Sequence, residues 1–268
     1  MCDKMKKYLI FTVASLLLMP SCLTKKEKPG ELTRTSGEVK LVTLDPGHFH
    51  AALVQKNSYK QVADEVYVYA PEGDDVQEHL NKINGYNTRT DSPTKWKEVV
   101  YLGSDFLEKM LSEKKGNVMI TAGNNGKKTE YIKQTLMAGI HVLADKPMAI
   151  NSENFGLLKE CFDIARGKGI LLYDIMTERH EITTVLQREL SCIPAVYGEQ
   201  LKGTPEEPAI VKESVHHFFK VVSGTPLKRP AWFFDVNQQG EGIVDVTTHL
   251  VDLVQWEAFP EQVIDYTQ

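Results

Sequence analysis

The chain has 268 residues, of which 42% are hydrophobic and 25% charged, with 18 Gly and 12 Pro. Those proportions exclude a collagen-like, coiled-coil or disordered chain and leave length for one large or two modest folded domains. The net charge of −5, without a local basic patch, offers no footprint for a nucleic-acid partner.

The first elements read as an address. Lys4, Lys6 and Lys7 precede the apolar run Tyr8–Met19, which is shorter than the roughly 20 residues that cross a bilayer. A basic flank, a short apolar core and the ending Met19-Pro20-Ser21-Cys22 predict a bacterial lipoprotein signal over residues 1–21, with Cys22 carrying lipid. Residues 22–37, with Lys25, Lys26, Lys28, Pro29 and Gly30, read as a flexible tether. This reading predicts a protein anchored by lipid in the cell envelope, on the periplasmic face of a bacterial membrane. Cys161 and Cys192 remain, and two thiols define neither a disulfide framework nor a metal site.

From residue 38 strand and helix patterns alternate. Val39–Leu44, Glu65–Ala70, Glu98–Leu102, Asn117–Thr121, His141–Ala144 and Ile170–Asp174 are short, β-branched and apolar, which predicts strands. Between them the patterns predict helices over His48–Lys56, Asp74–Ile83, Ser104–Lys114 and Lys128–Ala138, and one from Asn151 or Ser152 as cap to Arg166. Alternation of this kind predicts a Rossmann-like, doubly wound parallel sheet over residues 38–176. After Thr177 the rhythm changes. A helix is expected over Glu178–Leu190, strand-like pieces over Ala195–Leu201, Ile210–His217 and Phe218–Val222, a loop over Ser223–Pro230, and a helix over Val244–Trp256. Residues 177–268 therefore read as an α+β domain with a mainly antiparallel sheet, incomplete at its end.

A dinucleotide fold reads G-x-G-x-x-G at its first strand-to-helix turn. Here that register holds Asp45-Pro46-Gly47-His48-Phe49-His50, so only the middle glycine remains, the one that lets backbone approach pyrophosphate. Asp45 and His50 replace the other two. Gly47, His48 and Phe49 are the candidate cofactor contacts in this turn. Glu72, 25 positions after Gly47, is the candidate acid for the ribose hydroxyls. His48 and His50 form an H-x-H pair, and without a third ligand beside it the pair predicts no metal site.

Two further stretches carry a resemblance. Ala138-Gly-Ile-His-Val-Leu-Ala-Asp-Lys-Pro-Met-Ala149 resembles the A-G-K-H-V-L-x-E-K-P-x-A motif of the Gfo/Idh/MocA oxidoreductases, with Asp145 in place of Glu. Gly240-Glu-Gly-Ile-Val-Asp-Val-Thr-Thr-His-Leu-Val-Asp252 resembles that family's glycine-rich run followed by D-x-x-x-H-x-x-D. The family's T-P-N-x-x-H loop corresponds to Gly123–Lys128, where Asn125 matches and Lys128 stands for the histidine. The resemblance spans roughly residues 38–256 and implies NAD or NADP as cofactor, with Asn125, Asp145 and Lys146 among its contacts. It implies Lys146 as the group that polarises a substrate oxygen, His249 as the proton acceptor or donor, and Asp245 as their support, all three catalytic and substrate-binding. Arg179 falls where relatives carry an arginine near the substrate. The implied substrate is a carbohydrate: a sugar, sugar alcohol or glycoside. Family members pair through the C-terminal sheet, which implies a homo-oligomer.

Lys6-Lys7 is not a twin arginine, so the chain is expected to cross the membrane unfolded and to hold its cofactor tightly, each turnover returning the hydride. Two alternatives stand beside hydride transfer. One is NAD-dependent cleavage of a glycoside through transient oxidation and elimination, using the same residues. The other is a carbohydrate-binding lipoprotein without catalysis.

Overall fold

The computed structural model describes residues 35–215 and 219–265. The lipoprotein signal, Cys22 and nearly all of the tether lie outside the described residues. Among those described, no helix is long and apolar enough to cross a membrane.

Six strands form one parallel sheet: β1 (Leu41–Leu44), β2 (Glu65–Ala70), β3 (Lys97–Leu102), β4 (Val118–Thr121), β5 (His141–Asp145) and β6 (Leu172–Ile175). Their order across the sheet is β3-β2-β1-β4-β5-β6, every neighbouring pair parallel. Parallel strands need crossovers, and α1 (His50–Leu53), α2 (Asp74–Thr88), α3 (Phe106–Glu113), α4 (Asn125–Met137) and α5 (Ser152–Lys168) supply them. The strand order reverses between β1 and β4, and beyond the carboxyl ends of those strands lies the crevice in which open α/β sheets bind ligands.

Sequence accounts for these elements directly. Central strands covered on both faces read as continuous apolar runs, and all four residues of β1 are buried. Val42, Leu44, Met119 and Val142 from three adjacent strands join Ile132 and Leu136 of α4 in the main core. Asn151 caps α5 by accepting from the Asn154 amide at 2.8 Å, and Gly169 ends it at φ 66°, where a glycine costs nothing. The first crossover departs from expectation. Of the helix expected over His48–Lys56, only His50–Leu53 is helical.

The C-terminal part contains α6 (Ile182–Ser191), α7 (Pro194–Tyr197), β7 (Val221–Val222), β8 (Thr225–Pro226), α8 (Val236–Gln239), α9 (Gly242–Asp245) and α10 (Thr247–Ala258). Short 3₁₀ turns at Thr177–His180 and Ala231–Phe234 join them. A small antiparallel sheet is present as β7 paired with β8, the latter inside the segment Ser223–Pro230 expected to be a loop. Ala195–Leu201 is not a strand: Pro194 opens a single helical turn there. Residues 210–215 hold no strand either, and Phe218–Val222 contributes only β7. The helix expected over Val244–Trp256 is divided by a turn at Val246.

Candidate active site

The site lies at the carboxyl edge of the parallel sheet, where the turns after β1, β4, β5 and β6 meet the α8–α10 region. Two glycines allow the approach of these turns. A Cβ at Gly123 would collide with the Asp45 carbonyl, and one at Gly47 would lie 2.8 Å from the Trp232 ring and 3.1 Å from Oδ2 of Asp75.

Lys146 follows β5 directly, and the Lys146–Pro147 peptide is cis. Its Nζ donates to the carbonyl oxygen and to Oδ1 of Asp245, each at 2.9 Å. Burial alone would raise the Asp245 pKa, but the Lys146 ammonium and its hydrogen bond hold it low. His249 sits one turn into α10. Its Nδ1 is buried without a hydrogen-bond partner and stands 3.8 Å from Oε1 of Glu178. Burial lowers the His249 pKa, and the Lys146 charge lowers it further, which favours the neutral ring. Lys146, Asp245, His249, His48, Phe49, His50 and Glu178 line one cavity of about 340 Å³. Asp245 and His249 reach it from α9 and α10, not from successive turns of one helix.

Behind the cavity wall, Asp145 accepts from both imidazoles: Nδ1 of His48 at 2.8 Å and Nδ1 of His50 at 2.9 Å. Burial opposes its ionisation. The charge of His50 and the two hydrogen bonds outweigh burial and hold the carboxyl well below the usual carboxylate range. Burial pushes His48 down to about 4. Beneath this pair Lys128, fully buried, donates to Oδ1 of Asn125 and to the backbone oxygens of Asp145 and Pro147 at 3.0 and 3.1 Å. Burial lowers its pKa to about 8. Lys128 thus fixes the strand end from which Lys146 projects.

Other candidates stand elsewhere. Asn125 is buried, and its amide nitrogen donates to the backbone and side-chain oxygens of Gln239, so the amide ties the turn after β4 to α8. Glu72 is exposed in the turn after β2 and lines no described cavity. The acid that reaches the glycine turn is Asp75, in the first turn of α2. Arg179 is not brought into the cavity: its guanidinium forms a two-pronged pair with Asp252 and pins the 3₁₀ turn to α10.

A dinucleotide needs bare backbone and free amides at the turn after β1. The bare backbone is present at Gly47. The amides of Gly47 and His48 both donate to the Ala122 carbonyl, at 2.9 and 2.8 Å, and the Trp232 ring fills the space above Gly47. The cleft therefore receives a dinucleotide only with Trp232 displaced and through contacts other than these two amides.

This architecture is that of a Rossmann-like fold, with Lys146 at the end of its fifth strand. Residues 47–173 match the family described as "Oxidoreductase family, NAD-binding Rossmann fold", and residues 186–268 match a "Putative oxidoreductase C terminal domain". These two matches support a relationship to the Gfo/Idh/MocA oxidoreductases over residues 47–173 and 186–268. It is similar to the crystal structure of a "putative oxidoreductase" from Parabacteroides merdae ATCC 43184, with 76% identity, a TM-score of 0.82, and coverage of 88% of this chain and 54% of that one. An NAD-binding protein from Listeria innocua shares 16% identity at a TM-score of 0.54, over 82% of this chain and 55% of that one. A biliverdin reductase from Synechocystis sp. PCC 6803, solved with biliverdin and NADP+, shares 13% identity at 0.54, over 85% and 60%. These two likenesses concern the fold. The chain spans between 54% and 60% of the length of these three proteins. No curated protein matches it.

Proposed function

We propose that the protein is an NAD(P)-dependent oxidoreductase that moves a hydride to or from a hydroxyl-bearing carbon of a sugar, sugar alcohol or glycoside. The observation that supports this reading best is the shared cavity lined by Lys146, Asp245 and His249 at the carboxyl edge of the sheet. When bound, the nicotinamide ring supplies the hydride acceptor or donor. The bare backbone at Gly47 would lie against the cofactor, with the Asp75 carboxyl as an acceptor for its ribose hydroxyls.

The chain's own groups do the rest. The Lys146 ammonium, oriented by Asp245, hydrogen-bonds the substrate oxygen and stabilises negative charge as it develops there. His249, neutral near pH 7 through burial, accepts the hydroxyl proton in oxidation and returns it in reduction. The same proposal takes the mature protein to be held at the cell envelope by lipid on Cys22, supported by the basic flank and short apolar core of residues 1–21.

The test is turnover by the purified full-length protein on a panel of sugars and glycosides with NAD or NADP. Mass spectrometry reports retained cofactor, and the products separate a ketone from a released sugar. Replacing Lys146 with Met should cut turnover by roughly 10²–10⁴-fold in a folded protein. Unchanged turnover in that variant would refute the assignment of the site.

A further inference from the structure

We infer that His48, His50 and Asp145 form a binding site for a divalent transition-metal ion of the zinc class. The three residues come from two remote places, the turn after β1 and the end of β5. They bring one ring nitrogen of each imidazole and a carboxylate oxygen within 4.8 Å of one another. A tetrahedral ion bound at about 2.1 Å holds its donors roughly 3.4 Å apart. Nδ1 of His48 lies 2.8 Å from Oδ2 of Asp145 and Nδ1 of His50 lies 2.9 Å from Oδ1, so an ion entering between them requires the donors to part by about half an ångström. The donor set, two imidazole nitrogens and one carboxylate, suits zinc and neighbouring first-row ions over magnesium or calcium.

The site has the support an ion requires. Asp145 and His50 are buried, so their positions are set by packing. Lys128 holds the Asp145 backbone from below without touching its carboxylate oxygens. Binding balances through the tautomer: each neutral imidazole carries its proton on Nε2, leaving the Nδ1 lone pairs and the Asp145 carboxylate to the ion. Three protein donors leave coordination positions open. His48 and His50 both line the cavity of Lys146, Asp245 and His249, and Asp145 stands behind them. The pair of Lys146 with Asp245 offsets the nearby ammonium charge that would otherwise repel the ion.

The experiment titrates the metal-free full chain with Co²⁺, whose visible d–d absorption reports tetrahedral or five-coordinate nitrogen–oxygen ligation, and then competes it with Zn²⁺ followed by elemental analysis. The expected result is saturation at one ion per chain. His48→Gln and Asp145→Asn should each weaken binding by at least the roughly 10–100-fold that loss of an outer-sphere partner costs. Circular dichroism of each variant reports its folding. Should neither fold, the stoichiometry of the wild-type chain decides alone. A wild-type chain that takes up no stoichiometric ion, or folded variants that bind as tightly as wild type, overturns the proposal. No nicotinamide or substrate enters this measurement, so its failure leaves the hydride-transfer reading standing.

Discussion

The indole nitrogen of Trp232 donates to Oδ2 of Asp75 at 2.8 Å, holding the ring over Gly47. Two residues 157 positions apart thus close the turn through which a dinucleotide would approach the sheet.

If the cleft takes a dinucleotide, Trp232 must leave this position. NAD or NADP binding should therefore change the intrinsic tryptophan fluorescence. Trp232→Ala should abolish most of that change and tighten binding roughly fivefold, the equivalent of one hydrogen bond worth about 1 kcal/mol no longer being broken. Equal affinities measured by calorimetry would show that the ring does not obstruct the site.

The Lys146 ammonium contributes to the low pKa of His249, after burial. In Lys146→Met that repulsion disappears and Asp245 loses its cation, and both changes favour the imidazolium. The His249 ring should then titrate at a higher pH than in wild type, as followed by NMR of its ring carbons. An unmoved titration would show that the ammonium and the ring do not sense each other across the cavity.

Two buried groups should pull stability in opposite directions across the same pH window. Burial pushes Glu98 up to about 7 from 4.5, against the hydrogen bond from Gln55, so its contribution is lost as pH rises from about 4.5 to about 7. Burial holds His79 down at about 4 against 6.5, so its contribution is lost as pH falls from about 6.5 to about 4. In denaturant unfolding across this range, Glu98→Gln should leave stability rising with pH between about 4.5 and 6.5, and His79→Leu should leave it falling. Slopes identical to wild type would mean that neither group carries this linkage.

Lys128 should matter for stability before chemistry. Lys128→Met removes the donor of two buried backbone carbonyls and of Asn125, each costly to leave unpaired. A loss of about 3 kcal/mol or more is expected in unfolding experiments. A loss below about 1 kcal/mol would mean that the strand end is held by other contacts.

The sequence made the parallel sheet legible because each strand is a short apolar run bounded by turn residues, and neighbours in such a sheet follow the chain. Lys146 and His249 were legible through their motifs. The strands expected over Ala195–Leu201 and Ile210–His217 were not found in the described residues for a reason of pairing. Val196, Tyr197, Leu201 and Val211 are more than half exposed, and an apolar run becomes a strand only where another strand lies beside it. Trp232 and Asp75 escaped notice because neither belongs to a motif and their meeting depends on how the C-terminal part lies on α2. The H-x-H pair was visible, but its third member, Asp145, stands 97 positions beyond His48. Arg179 was placed by analogy with relatives, and Asp252, three residues past His249 on α10, claims it.

The cavity wall combines His48, near the front of the described chain, with His249, near its rear. The six strands pair with one another without α10, but the chamber lacks a wall until that helix docks. A chain folded only as far as β6 would carry Lys146 at the edge of a finished sheet with no enclosed space around it.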